Sequence, residues 1–403
     1  MKIAMLTTVG ERCGIAAYTA ELTEALRRQP RMQVEVIPID VGHQPLEHYQ
    51  ALARLLNAED VDIVHIQHEH SFWGGILPGH SAYWTIRYLI KKPIVLTAHT
   101  TYSLAQMLRL KTERRPHIWL AKKILTLRRA YRDSVDIAPF ATAYTIVHTK
   151  EAGRELVVRG AKPQNISVIP AGVPKTLPAP AEGSEFREKH GLLGKRVLTI
   201  FGYVVPSKGY EVTLDILPSL PSNTVLVVAG GARTPESEPY VSQLKERVAQ
   251  AGLMDRVVFT GYLSDEEIAE AMAGTDVVLV PHLQATGSYS VMVPLSYGMA
   301  IVSSDLACFR EIQERHACME LFRAGDKNDF LTRLLAILGS DTRQAELRTQ
   351  SAEYAQKFSW DEIAKVTVQT YRDALKAWNV QPKNFVPLSM IKPRVKEGKA
   401  PLE

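Results

Sequence analysis

Pro170-Ala-Gly-Val-Pro174-Lys-Thr-Leu-Pro178-Ala-Pro180-Ala-Glu-Gly183 sets four prolines and two glycines in fourteen residues. No regular element tolerates that density, because each proline removes a backbone donor and fixes φ, so the stretch reads as a connector between domains. On either side of it the same pattern runs. Upstream, short β-branched runs at Ile3–Thr7, Val34–Ile39, Ile63–Ile66, Ile94–Ala98, Thr145–His148 and Ser167–Ile169 alternate with stretches of helical period. In one of these, Ala16–Arg28, Tyr18, Leu22, Ala25 and Leu26 share a face. Downstream the runs recur at Val197–Phe201, Val225–Ala229, Val257–Phe259, Val277–Val280 and Ile301–Ser303. Strands alternating with helices predict parallel sheets covered on both faces, hence an α/β chain of two Rossmann-like halves. The expected divisions are 1–175, a linker at 176–195, a second domain at 196–358, a helix at 359–378 and a proline-punctuated tail at 379–403.

The chain's 403 residues suit two domains with full cores, and 46% apolar with 23% charged residues is an ordinary globular composition. Disordered and collagen-like classes are excluded. Cys13, Cys308 and Cys318 form neither an even disulfide framework nor a CxxC knuckle, which favours a reducing, cytoplasmic setting. No uncharged apolar stretch approaches the roughly 20 residues of a membrane span, and the N-terminus turns polar too early for a signal core.

In open parallel sheets ligands gather outside the carboxyl ends of the strands, so chemistry is sought in the loops that follow them. After the first strand, Val9-Gly10-Glu11-Arg12-Cys13-Gly14-Ile15 opens a helix and can offer free amides to a phosphate; a plain tight turn is the alternative. It is not G-x-G-x-x-G, so a dinucleotide dehydrogenase is unsupported. After the third strand, His65-Ile-Gln-His68-Glu69-His70 gathers imidazoles and a carboxylate, with His99 ending the neighbouring run. A metal site, a polar wall for a hydroxyl-rich ligand, and histidines merely satisfied by backbone are all open readings. Against metal, alternation sends His65 and His68 to opposite faces, and no H-E-x-x-H spacing is present.

In the second half, Phe201-Gly202-Tyr-Val-Val-Pro-Ser-Lys208-Gly209 puts an ammonium on a glycine-flanked loop beside a helix start. That suits a diphosphate whose charge grows as a sugar–phosphate bond breaks; an ordinary surface lysine is the alternative. Further on, Gln284-Ala-Thr286-Gly287-Ser288-Tyr289 follows a strand and opens a helix that Gly298 closes, offering amides and hydroxyls to an anion. Asp60-Val-Asp62 leads into a strand and is not read as a metal site.

The order of these motifs resembles the GT-B glycosyltransferases of family 4, the glycosyl transferase group 1 enzymes. The likeness spans about residues 1–378. It is carried by Gly14-Ile15-x-x-Tyr18, His65 to Glu69, Thr97-Ala-His99, Val168-Ile-Pro-Ala-Gly172-Val, Lys208-Gly209, Ala229-Gly230-Gly231, Val257-Val-Phe-Thr-Gly261-Tyr-Leu-Ser and the block from Thr286 to Gly298. The resemblance implies two Rossmann-like domains facing a central cleft and a C-terminal helix crossing back to the first domain. It also implies retaining transfer of a hexose from a nucleotide-diphosphate sugar to a saccharide or lipid-linked acceptor, with no resident cofactor and no essential metal. Carried over residue by residue, Lys208 holds the donor diphosphate and His99 faces the sugar; these two are the catalytic candidates. Gly14, Gly202, Gly230, Tyr262, Thr286, Gly287, Ser288 and Tyr289 are the further donor-site candidates, with Tyr262 and Gly230 near the nucleobase. His65, His68 and Glu69 line the acceptor cleft.

Departures from the family pattern matter as much. Its two glutamates, seven residues apart, align with Ala285 and Val293, and its basic residue before the lysine is replaced by Tyr203 or Val205. The Gln-x-Thr-Gly-Ser run fits a subgroup in which amides and hydroxyls bind the donor. The alternatives are a non-catalytic subunit of the same fold and, without a convincing carboxylate arrangement or cofactor lysine, an epimerase or phosphorylase.

Between Arg109 and Arg132 nine basic residues face one acidic residue, in a protein of net charge +5. With Ile118, Trp119, Ile124 and Leu125 interleaved, this is a basic amphipathic stretch suited to an anionic membrane surface, as the resemblance also implies; a solvated face is the alternative. No nucleic-acid reader motif accompanies the charge.

Overall fold

The computed structural model describes residues 1–9, 14–42, 44–73, 83–101, 143–158, 161–176, 183–232, 235–285 and 289–380, with His117, Leu120 and Ile124. The chain forms two compact units: residues 1–148, 152–169 and 364 onward, and residues 149–151 with 170–363.

In the first unit the order is β1 (Lys2–Thr7), α1 (Gly14–Arg27), β2 (Gln33–Pro38), α2 (Leu46–Leu56), β3 (Ile63–His68), α3 (Tyr83–Leu89), β4 (Ile94–Ala98), β5 (Tyr144–Val147), α4 (Lys150–Val158) and β6 (Ile166–Val168). The sheet runs β2-β1-β3-β4-β5-β6, all parallel. One face is apolar: Ala4, Leu6, Val64, Ile66 and Leu96 pack against Leu52 and Leu56 of α2 and Ile86 of α3. At β3 the other face is not, because His65 and Gln67 alternate with Val64 and Ile66 on a strand buried throughout.

In the second unit the order is α5 (Ser184–Lys189), β7 (Arg196–Phe201), α6 (Tyr210–Ile216), β8 (Thr224–Ala229), α7 (Glu238–Gln250), β9 (Val257–Gly261), α8 (Asp265–Ala273), β10 (Val277–Val280), α9 (Tyr289–Ser296), β11 (Ile301–Ser304), α10 (Ala307–Arg315), β12 (Glu320–Phe322), α11 (Lys327–Leu338), α12 (Asp341–Lys357) and α13 (Trp360–Val380). Its sheet, β12-β11-β10-β7-β8-β9, is also parallel. The continuous apolar runs of β8 and β10 are buried along their whole length, as expected of strands covered by helices on both sides. Local chemistry fixes several helix starts. At α8, Ser264 and Glu267 form a reciprocal capping box, and Asp326 accepts from two amides at the start of α11.

Every strand expected from the sequence is present, and β12 is added; its Glu320-Leu321-Phe322 holds no β-branched residue to signal a strand. The chain passes from the first unit to the second at Ile169 and Pro170. The stretch from 183 is part of the second unit rather than a free linker. Phe186 is buried with Leu192, Val197 and Val225, and Arg187 bonds Asp276 at 2.9 Å. The last helix begins in the second unit and from Ala364 onward belongs to the first. Among the described residues no helix is long and apolar enough to cross a membrane.

Candidate active site

In the second unit the topology reverses at β7, whose neighbours are β8 on one side and β10 on the other. The carboxyl ends of β7 and β10 therefore flank the crevice where an α/β sheet takes its ligand. The loops there are tightly knit. Leu283 donates its amide to the Ser207 carbonyl at 2.8 Å, and the Ser304 hydroxyl donates to the His282 carbonyl at 2.8 Å. Lys208 ends a short 3-10 turn, Pro206–Lys208, just before α6. Its side chain is only 7% exposed and donates to the Phe201 carbonyl at 2.6 Å. Burial pushes the Lys208 ammonium down to about 7. Its neighbour His282 is buried too, and burial, helped by the lysine charge, pushes that imidazole down to about 3. Among the described residues Lys208 makes no ion pair, so burial without a countercharge is what lowers its affinity for the proton.

Gly202 and Gly230 close the adjoining edge. Gly202 donates to the Ala229 carbonyl at 2.9 Å, Val204 to that of Gly231 at 2.9 Å, and Gly230 sits at φ +148°, where an added Cβ would lie 2.3 Å from the Gly202 oxygen. Tyr262, after β9, is half-exposed, with its ring 6.0 Å from that of Tyr203. Thr286, Gly287 and Ser288 lie outside the described residues. Tyr289 opens α9, its side chain also outside them. Ala285 packs beside Cys308, whose burial pushes the thiol up to about 12.

In the first unit the candidates divide. His99 follows β4 and is half-buried; its amide donates to the His68 carbonyl at 3.1 Å and its Nε2 meets Gln67 Oε1 at 2.8 Å. The ring lies edge-on to Tyr18 at 4.9 Å and 5.4 Å from that of His148. Burial first, then the neighbouring imidazoles His148, His65 and His68, hold His99 well below its ordinary value, so it is neutral at pH 7. Glu69 accepts from the Thr100 hydroxyl. His68 is buried between the rings of His70 and Tyr83 on the apolar side of the sheet, which holds it well below its ordinary value.

His65 corrects the expectation of an acceptor wall. It is fully buried, Nδ1 lies 2.7 Å from Tyr371 Oη and Nε2 2.7 Å from Thr97 Oγ1, and burial pushes it down to about 3. Both nitrogens are committed within the protein. His65 and His68 do point to opposite faces, and among the described residues no group of three or more His, Cys, Asp or Glu side chains is placed to hold a metal ion.

Gly14 opens α1 and is exposed, with nothing within 4 Å of an added Cβ. Neither φ nor packing demands glycine there. Gly14→Ala is therefore expected to leave the unfolding free energy within about 0.5 kcal/mol of the parent. If the loop lines the transferred sugar, turnover falls severalfold all the same. A variant with unchanged stability and unchanged turnover removes Gly14 from the site.

Sequence reading missed three residues here. Gln67 shares the face of His65 in a strand too apolar to be exposed, a signal that alternation carries. His282 follows a buried strand directly. Tyr371 meets His65 across 306 positions of sequence and has no local signal.

Two parallel sheets with covering helices and loops gathered at their carboxyl edges define an α/β chain of the GT-B type. Two family models match it, "Glycosyltransferase Family 4" over residues 22–176 and "Glycosyl transferases group 1" over 183–358. Between them they cover both units, and the chain belongs to the family 4 glycosyltransferases. It is 26% identical over 249 residues to the D-inositol 3-phosphate glycosyltransferase of Rhodococcus erythropolis, covering 59% of this chain and 56% of that protein. It is 29% identical over 183 residues to the phosphatidyl-myo-inositol mannosyltransferase of Mycobacterium leprae, covering 44% and 46%. The matches thus span about half the length of these curated relatives. Among solved structures, Anabaena HepE in complex with UDP-glucose shares the fold at TM-score 0.69 and 18% identity, covering 92% of this chain and 99% of that one. WaaG, a glycosyltransferase involved in lipopolysaccharide biosynthesis, does so at TM-score 0.62 and 15% identity, covering 91% and 98%.

Proposed function

We propose that this protein transfers a hexose, with retention, from a nucleotide-diphosphate sugar to a saccharide or lipid-linked acceptor. The observation that carries the reading is Lys208, a buried ammonium at the topological switch point of the second sheet, donating to one carbonyl and making no ion pair among the described residues. A donor diphosphate supplies the missing charge, and the ammonium gains most when the sugar leaves and the phosphate becomes more negative. The departing phosphate oxygen takes the proton of the acceptor hydroxyl on the same face, so no protein base and no pair of carboxylates is required. Neutral His99 offers a hydrogen bond rather than a charge to the sugar. Tyr203 and Tyr262 provide an aromatic edge for the base, and Gln284–Ser288 supply amides and hydroxyls where the family's glutamates are replaced by Ala285 and Val293. Glu69 remains the acceptor-side candidate, whereas His68, buried among the rings of His70 and Tyr83 on the core side of the sheet, is withdrawn with His65. The chemistry calls for no metal and no resident cofactor.

The names of the relatives support this reading, as does the capture of UDP-glucose by HepE. A lipid-linked acceptor is favoured by the basic stretch from Arg109 to Arg132, which lies outside the described residues except at His117, Leu120 and Ile124. Leu120 and Ile124, one helical turn apart, are both exposed. In this reading the protein works at the cytoplasmic face of a membrane.

Incubation with UDP-, GDP-, ADP- and dTDP-sugars, followed by product analysis, tests the proposal. Release of nucleoside diphosphate with an enlarged acceptor supports it. A nucleotide sugar that binds and is never consumed sinks it in favour of the non-catalytic reading, which Ala285 and Val293 favour.

Lys208 also predicts a pH dependence. Its value in the free protein is about 7, and a diphosphate at the ammonium raises it, so binding above neutrality takes up a proton. Affinity for the nucleotide sugar is expected to be flat on the acid side and to fall about fivefold from about pH 7 to 8. Titration calorimetry at several pH values checks this; a dissociation constant that does not rise through that window contradicts the assignment.

A further inference from the structure

The face of β3 opposite the apolar core carries two polar side chains with no exposure at all, His65 and Gln67. Burying an imidazole and an amide in a sheet is costly unless every donor and acceptor is matched, and here they are matched in series. Tyr371 Oη lies 2.7 Å from His65 Nδ1, and His65 Nε2 lies 2.7 Å from Thr97 Oγ1 and 3.4 Å from Gln67 Nε2. The Gln67 amide nitrogen also donates to Met5 Sδ at 3.2 Å, and the carbonyl end, Oε1, meets His99 Nε2 at 2.8 Å. Because a thioether sulfur cannot donate, the nitrogen of the Gln67 amide belongs beside Met5 Sδ and its oxygen toward His99, with His65 Nε2 accepting when Nδ1 carries the proton toward Tyr371. An amide oxygen only accepts, so the proton of a neutral His99 must sit on Nε2, and Nδ1 is left as an acceptor. The packing of Tyr18 edge-on to the His99 ring fixes its plane.

Resting on the transferase reading above, we propose that Gln67 is a positioning residue that locks His99 as the Nε2–H tautomer, so that Nδ1 accepts a hydrogen bond from a hydroxyl of the transferred sugar. His65 and Tyr371 hold the amide from behind, which makes the last helix a part of the support for this group. Nothing in this arrangement would be needed to fill space, since Leu or Met at position 67 would pack a parallel strand with no polar group to satisfy.

The test is the ring nitrogen spectrum of His99 in the full-length protein labelled with 15N-histidine, assigned by its disappearance in His99→Asn. The expected result is a protonated, hydrogen-bonded, slowly exchanging Nε2 and an unprotonated Nδ1 at neutral pH. In Gln67→Leu the Nε2 proton exchanges rapidly and kcat falls about tenfold, while KM for the nucleotide sugar stays within about twofold, because the diphosphate is held in the other unit. A wild-type His99 protonated on Nδ1 overturns the proposal, as does a Gln67→Leu enzyme with both the bonded proton and kcat of the wild type. Should Gln67→Leu fail to fold, Gln67→Met replaces it, and the wild-type spectrum decides without either variant. If the wild-type protein transfers no sugar, the transferase reading fails at that point, while the tautomer is still settled by the spectrum.

Discussion

Lys208→Ala is expected to lower affinity for the nucleotide sugar, or turnover, about ten- to hundredfold, the loss that follows from removing roughly 1.4–2.7 kcal/mol of charge-assisted hydrogen bonding to a diphosphate. The magnitude comes from burial. An exposed lysine would be screened and replaceable by water, whereas Lys208 is 7% exposed and anchored at 2.6 Å to the Phe201 carbonyl. Two controls separate this from misfolding. The variant should keep a cooperative melt, and it should lose the fall in affinity above neutral pH, since the group that titrates there is gone. Lys208→Arg is not expected to rescue, because a planar guanidinium is larger than the ammonium that the β7 and β10 loops enclose. Unchanged binding and turnover in Lys208→Ala would remove the central site assignment.

Gly209→Ala is expected to destabilise the protein by about 3 kcal/mol or more and to abolish nucleotide-sugar binding in whatever folds. Gly209 sits at φ +70° and ψ 34°, the left-handed region, which costs a residue with a Cβ about 1–2 kcal/mol. Here the steric term is larger still, because the added Cβ would stand 2.0 Å from the Pro281 carbonyl oxygen. That oxygen belongs to backbone and cannot swing aside as a flexible side chain would. Either the loops after β7 and β10 part, displacing Lys208, or the second unit loses packing at its switch point. Chemical denaturation together with a binding assay reads both. A Gly209→Ala protein of parental stability would show that the two loops are not in contact. Gly14→Ala, where the added methyl meets nothing within 4 Å, is the internal comparison.

Where the resemblance places the family's two glutamates, this sequence has Ala285 and Val293, which in the transferase reading narrows how the donor is recognised. Ala285 is partly buried, and its carbonyl faces Cys308 Sγ at 3.7 Å, so this position serves the packing of α10 against the β10 loop. In the transferase reading, specificity for the sugar then moves to the hydroxyls and amides that follow and to His99 in the first unit, which burial keeps neutral and Gln67 orients.

Strand and helix order was readable in this sequence because it rests on local quantities: β-branched runs of three to six residues, helical period, and glycine or proline between them. The rule that ligands meet the carboxyl ends of parallel strands singles out the loops that hold Lys208 and His99, and the roles proposed for these two residues come from the family resemblance. Other assignments had no local signal. His65, Gln67 and His68 stand in one short run of sequence, yet the first two hydrogen-bond beneath one face of the sheet and the third is buried among rings on the other. Whether a strand histidine is core or site depends on what covers it, and what covers His65 is Tyr371, brought there by a helix 306 residues away. The pairing of Gly209 with Pro281 likewise arises only when β10 is laid beside β7, a non-local neighbour in the sheet order. Sequence by itself determined the elements, their alternation and the loops that follow the strands, since these depend on propensity and period. Tertiary structure alone decided which polar groups are stripped of water, that Lys208 is buried with no ion pair among the described residues and that the Gln67 amide meets His99 Nε2, since desolvation and hydrogen-bond partners depend on contacts between distant parts of the chain.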